Sequence, residues 1–168
     1  MPERSAEVPC PATLRDVYLR VYREAPYHED EKDADAFAGQ LAAHAALPGF
    51  CVTTVHDDAG ALGGFAYGVR RESGWWHPRA EAPAPPWLHR PFFYVYELAV
   101  VRESRGLGHG RALLDLLLAD RPEHHAVLAA SRAAPAHALY RRWGWTTAGR
   151  LTGPPDGVDL LALPLSAC

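Results

Sequence analysis

The sequence predicts an α/β (α+β) fold, with helices flanking a mixed sheet that has a parallel strand pair at its centre. Three observations carry that expectation. The run FFYVYELAVV, 92–101, is apolar throughout except for Glu97, which suits a central strand buried on both faces. It leads into a glycine-rich turn, a helix carrying Leu113, Leu114, Leu117 and Leu118, and the short apolar run AVLAA at 126–130. Such a strand–helix–strand unit crosses over right-handed and leaves its two strands as parallel neighbours. Upstream, FCVTTVH, DDAG and ALGGFAYGV read as strand, turn and strand, which adds an antiparallel hairpin.

The remaining elements follow in chain order. Thr13 is the expected N-cap of a first amphipathic helix, in which Leu14, Val17, Tyr18 and Val21 recur at helical spacing and Pro26 marks the end. HEDEKDAD, 28–35, reads as a solvated acidic stretch. Beyond it Phe37, Leu41 and Ala45 give a second helical face, closed by LPG at 47–49. The segment 70–91 carries prolines at 78, 83, 85, 86 and 91, which forbid regular structure and make it a long loop. Pro135 suits the first turn of a helix over 136–143 that Gly144 ends, and WTTAGRL and VDLLALPL read as two closing strands. At 168 residues the chain fits one domain, 1–168, with a helical part over 1–50 and a sheet part over 51–164.

Composition narrows the function. Apolar residues are 48% and charged residues 22%, close to globular averages, so neither disorder nor a membrane span is expected. A net charge of -3 and a pI near 6.3 argue against nucleic acid or an anionic membrane surface as partner. Cys10, Cys51 and Cys168 form no C-x-x-C pair, and no H-E-x-x-H or comparable spacing occurs, so neither a disulfide framework nor a metal site is expected. MPERSAEVPC lacks the apolar core of an export signal, and the expected location is cytoplasmic. Ser104 and Ser131 lack a G-x-S-x-G elbow, which speaks against a serine hydrolase.

SRGLGHGRALLDLLL, 104–118, places Gly106, Gly108 and Gly110 between a buried strand and a leucine helix. Bare backbone at the positive end of a helix dipole favours an anion, phosphate above all. No lysine follows the glycines as a Walker loop requires, and Arg111 stands where a dinucleotide fingerprint needs its third glycine. What fits is R-x-x-G-x-G, over 105–110. Downstream, APAHALYRRWGW, 134–145, matches A-x-x-L-Y-x-x-x-G-[FW]. Together, in this order, the two motifs resemble the GNAT superfamily of acetyl-CoA-dependent N-acetyltransferases.

That resemblance implies a GNAT-like domain with a mixed, mostly antiparallel sheet, acetyl-CoA as co-substrate, and the helical part on the acceptor side. Backbone of Arg105, Gly106, Leu107, Gly108, His109, Gly110 and Arg111 would cradle the coenzyme A pyrophosphate. Backbone of Leu98, Ala99 and Val100 would contact the acyl arm where the two parallel strands splay, and an N–H there would polarise the thioester carbonyl. Tyr140 matches the family tyrosine and is the candidate proton donor to the departing thiolate. Tyr94 and Tyr96 match positions that carry base or acceptor contacts in the family. Two departures stand out: Ala133 occupies the position of a frequent asparagine, and only AEV, 6–8, is available as a first strand before Pro9.

Glu97 is the only carboxylate in the central strand and is the candidate base, against a structural ion pair. Alternation sets it on the face opposite Tyr94, Tyr96 and Leu98 unless a bulge re-aims it. His28, His44 and His56 are bases only if they reach the cleft, and His44, on an amphipathic helix, is expected to be peripheral. Trp75 and Trp76, in the long loop, are candidate acceptor contacts, either as a lid over the acceptor or as a flap on the sheet. The acids from Glu29 to Asp35 would attract a cationic amine, with a solvated face as the plainer reading. The expected acceptor is a primary amine of a small molecule, attacking directly in a ternary complex; a protein N-acetyltransferase and a non-catalytic acyl-CoA sensor are the alternatives. Dimers are common in the family, and a homodimer is compatible with the resemblance.

Overall fold

The computed structural model describes residues 1–165, so Cys168 lies outside the described residues. Its elements are β1 (Glu3–Ser5), α1 (Pro11–Tyr22), α2 (Glu31–Ala45), β2 (Cys51–His56), β3 (Leu62–Arg71), β4 (Phe92–Val100), α3 (His109–Leu118), β5 (His125–Ser131), α4 (Pro135–Arg142), β6 (Thr146–Arg150) and β7 (Val158–Pro164). The strands follow the order β1-β2-β3-β4-β5-β7-β6 in one sheet. β4 and β5 are parallel, with Phe93 opposite Ala126 and Val95 opposite Leu128. The pairs β1–β2, β2–β3, β5–β7 and β6–β7 are antiparallel. This is the expected mixed α/β sheet with a parallel pair inside it.

Two compact units make up the chain, Met1–Val69 with Tyr96–Ala119, and Arg70–Val95 with the residues from Asp120 on. In the first, Leu14, Val17 and Tyr18 of α1 and Ala34, Phe37 and Leu41 of α2 pack on Val52 of β2 and on Phe65, Tyr67 and Val69 of β3. The three β3 residues alternate along their strand, as one face of a pleated strand requires. Each of the valine, leucine and phenylalanine side chains, fully buried, stabilises by about 1.5–3 kcal/mol, and Phe37→Ala would cost about 3–5 kcal/mol. On the opposite face, the Thr53 hydroxyl donates to the Leu113 carbonyl of α3 at 3.1 Å.

Three expectations for this unit need correction. The N-cap of α1 is Cys10, not Thr13: Pro11 takes the first helical position, where its missing N–H costs nothing, and the Thr13 hydroxyl donates back to the Cys10 sulfur at 2.9 Å. α2 begins inside the acidic stretch. The Asp30 side chain accepts from the Lys32 and Asp33 N–H groups while Asp33 accepts from the Asp30 N–H, a reciprocal capping box, and Glu31, Asp33 and Asp35 stay exposed. The first strand is present, at Glu3–Ser5 rather than 6–8; as a short edge strand it needs no apolar run.

In the second unit β5 and β7 pair from His125 opposite Pro164 to Ser131 opposite Val158. The segment 70–91 is more ordered than its prolines suggest. β3 runs on through Arg70 and Arg71, Ala80 bridges Leu151, and Pro86–His89 forms a 3-10 turn led by proline. Among the described residues no helix is long and apolar enough to cross a membrane, and no cluster of three His, Cys, Asp or Glu is arranged to hold a metal.

Candidate active site

β4 ends at Val100, Arg102–Ser104 makes a single 3-10 turn, and Gly108 caps α3 without a side-chain hydrogen bond. Gly106 and Gly108 hold φ of 79° and 81°, where any other residue would cost about 1–2 kcal/mol. A Cβ added at either would meet nothing within 4 Å, so the constraint is conformational and the space beside the turn is open. Open backbone ahead of an uncapped helix suits a diphosphate. The turn's arginines are engaged within the protein. Arg105 Nε donates to the Val100 carbonyl at 2.9 Å and its guanidinium meets Glu24 at 2.7 Å, holding that carboxyl below the usual range; Arg111 Nε donates to both Asp115 oxygens at 2.8 and 2.9 Å. Leu107 is exposed, and His109 and Gly110 are half-buried.

The sequence reading passed over Gly63 and Gly64. A Cβ on Gly63 would lie 2.8 Å from Ser104 Oγ, and one on Gly64 would lie 2.8 Å from the Ala99 carbonyl oxygen. The Gly63 carbonyl also accepts from the Val101 N–H at 3.0 Å. These two glycines let β3 lie close against the end of β4 that enters the turn. Paired glycines inside a strand pattern were the available signal.

Glu97 is surrounded by phenols and another acid. Burial pushes its carboxyl up to about 8; the hydrogen bond from Tyr22 of α1 opposes that shift, and the charge of Glu29 adds to it. Glu29, in the turn before α2, is also raised, by burial first, with the Tyr18 hydrogen bond opposing. Tyr18 and Tyr27 are pushed up by burial and then by the charge of Glu97. The Tyr18 and Tyr22 ring centroids are 4.5 Å apart, Tyr22 and Tyr27 meet edge to face at 4.8 Å, and the Tyr22 hydroxyl lies 3.5 Å from the Leu98 carbonyl.

Tyr96, next along the strand, also meets the helical pair. Its ring centroid is 3.9 Å from that of His44 of α2, and His44 Nδ1 is 3.2 Å from the Tyr67 hydroxyl. Tyr96 and Glu97 therefore do not part to opposite sides as simple alternation requires. Nor is His44 peripheral: it is 8% exposed, because the Tyr67 hydroxyl gives its ring a polar partner inside the core.

The other predicted residues belong to the second unit. Trp75 stands edge-on to Tyr94 at 5.5 Å, with the Arg71 guanidinium 4.5 Å from its ring centroid. Trp76 packs against Trp87 at 5.9 Å and Phe92 at 6.1 Å, and Trp87 stacks on His125 at 4.4 Å. These rings meet Phe92 and Tyr94 of β4 and His125 of β5. Tyr140 of α4 is buried between Trp143 and Trp145 at 5.8 and 6.0 Å. One turn earlier, His137 Nε2 lies 2.9 Å from the buried Asp159 of β7, which Arg132 and Arg150 approach at 3.9 and 3.8 Å.

The Acetyltransferase (GNAT) family model matches residues 12–145. The chain belongs to the GNAT acetyltransferase family. It is therefore an acetyl-CoA-dependent acetyltransferase, and the glycine turn and α3 lie within the matched span. Among solved structures, the chain is similar to the GNAT family N-acetyltransferase YhbS from Escherichia coli in complex with CoA, 18% identical over 99% of this chain and 81% of that one, TM-score 0.65. A histone acetyltransferase HPA2 and related acetyltransferase from Corynebacterium glutamicum is 19% identical over 99% and 98%, TM-score 0.66. At those identities the likeness is one of fold. Nourseothricin acetyltransferase is 28% identical over 71% of this chain and 67% of that one, TM-score 0.55. No curated protein sequence matches the chain.

Proposed function

We propose that this GNAT enzyme acetylates a primary amine of a small molecule by direct attack in a ternary complex, with Glu97 as the base. The carrying observation is the surroundings of Glu97: a lone carboxyl of the central strand, half-buried beside Tyr22 and Glu29, with its pKa raised to about 8. An amine arrives as an ammonium and attacks only when neutral. A carboxylate whose proton affinity lies near that of the working pH can take that proton, which an ordinary exposed glutamate does poorly. Acetyl-CoA supplies the thioester. Backbone of the turn from Arg105 to Arg111 would bind its diphosphate, and backbone of Leu98, Ala99 and Val100 would orient the acyl arm. As the amine nitrogen bonds to the acyl carbon, the carbon–sulfur bond breaks, Tyr140 gives its proton to the leaving sulfur, and the second proton that the nitrogen sheds restores the Tyr140 phenol. Support for Tyr140 comes from its place in the 134–145 motif and its buried ring, which meets Trp143 and Trp145.

A small acceptor is supported by the likeness to an enzyme named for nourseothricin. Unpaired Cys10 and Cys51 suit a reducing cytoplasm. The test is thiol release from acetyl-CoA across a panel of small amines and a set of peptides. Turnover with small amines that Tyr140→Phe slows supports the reading. Folded protein that binds coenzyme A and turns over nothing, or turns over peptides alone, overturns it.

A further inference from the structure

Direct acetyl transfer needs one carboxylate beside the acceptor, and the first unit provides two. Tyr18 and Tyr22 stand one helical turn apart on α1; Tyr18 donates to Glu29 Oε2 and Tyr22 hydrogen-bonds Glu97. Tyr27 flanks Tyr22 and leaves 38% of its surface exposed, one of the few large apolar side chains that do so among the described residues. The neighbouring cations are committed elsewhere. Arg15 holds Glu31 and Asp35 at 2.9 and 2.6 Å, Arg23 holds Glu31 at 3.2 Å, and Arg105 holds Glu24 at 2.7 Å. Among the described residues neither Glu29 nor Glu97 has a basic ion-pair partner. Carboxylates drawn out of water are ordinarily paired with a cation, so two acids held by phenols alone leave a place for positive charge.

We infer that the acceptor is a dication, a short diamine or polyamine-like molecule, whose reacting amine meets Glu97 and whose second ammonium is held by Glu29 and the Tyr27 ring. This rests on the reading of Glu97 as the acceptor-side base. Ring faces and carboxylates both favour an ammonium, and the effect grows as water is excluded. An acceptor bearing its own carboxylate, such as an amino acid, would meet like charge at Glu29 and be turned away.

The experiment is thiol release with acetyl-CoA and matched acceptors: 1,3-diaminopropane, 1,4-diaminobutane and 1,5-diaminopentane, the corresponding monoamines, and 4-aminobutanoate. Diamines are expected to exceed monoamines in kcat/KM by about tenfold or more, mainly through KM, with 4-aminobutanoate slowest. Glu29→Gln, which keeps an acceptor for the Tyr18 hydroxyl, should bring the diamine-to-monoamine ratio close to one. Tyr27→Leu should lower it less, and Asp58→Asn in the β2–β3 turn should leave it as it was. Monoamines used as well as diamines, or a ratio unmoved by Glu29→Gln, overturn this inference alone. No turnover with any amine overturns the proposed function and this inference with it.

Discussion

Glu97, half-buried in the first unit, and Asp159, buried in the second, are both carboxylates shielded from water, and their neighbours could hardly differ more. Asp159 is 6% exposed and meets His137 at 2.9 Å, with Arg132 and Arg150 just under 4 Å away. Glu97 meets a phenol and stands near a second acid. Asp159 has two guanidinium groups just under 4 Å away, and its hydrogen bond with His137 ties α4 to β7. For Glu97 burial raises the proton affinity first, the charge of Glu29 adds to it and the Tyr22 hydrogen bond only partly opposes it, so that the group can exchange a proton near neutrality. What separates the two acids is the basic groups beside Asp159, which Glu97 lacks among the described residues.

Substitutions should separate the two acids. Glu97→Gln should have the largest effect, a loss of about 10²–10⁴-fold in kcat/KM for amine acetylation, with secondary structure by circular dichroism unchanged. Tyr140→Phe should cost about 10²-fold in kcat with little change in the KM for acetyl-CoA, read by steady-state thiol release. Asp159→Ala should act on stability, removing the hydrogen bond with His137, worth about 1.5–3 kcal/mol in a urea melt. Gly108→Ala should cost about 1–2 kcal/mol because its φ is positive, and should raise the KM for acetyl-CoA.

Stability against pH sharpens the contrast. Glu97 binds its proton more tightly folded than unfolded, so its contribution to stability is fullest below the ordinary carboxylate pKa of 4.5 and is lost as pH rises through about 8. Glu97→Gln should flatten that decline in melts run across the range.

Much of this was open to sequence reading, for particular reasons. The central strand declared itself because one charge interrupts ten residues, and the turn because glycine spacing separates phosphate-binding patterns. Local rules failed where tertiary partners decide. Tyr18 and Val21 read as one apolar face, yet what matters about Tyr18 is its hydroxyl on Glu29, a residue that looked like solvated acid. His44 looked peripheral because helical periodicity says nothing of Tyr67. Cys10 was missed as a cap since threonine is the better capper by preference, although Pro11 at the first helical position already assigned the cap to the residue before it.

The most direct measurement is the pH profile of kcat/KM for amine acetylation, for the unaltered chain and for Glu97→Gln. If Glu97 is the base, the unaltered chain shows a rising limb with an apparent pKa near 8 that the variant lacks. A limb of the same position and height in both would contradict the account, for it would belong to the free amine or to another group.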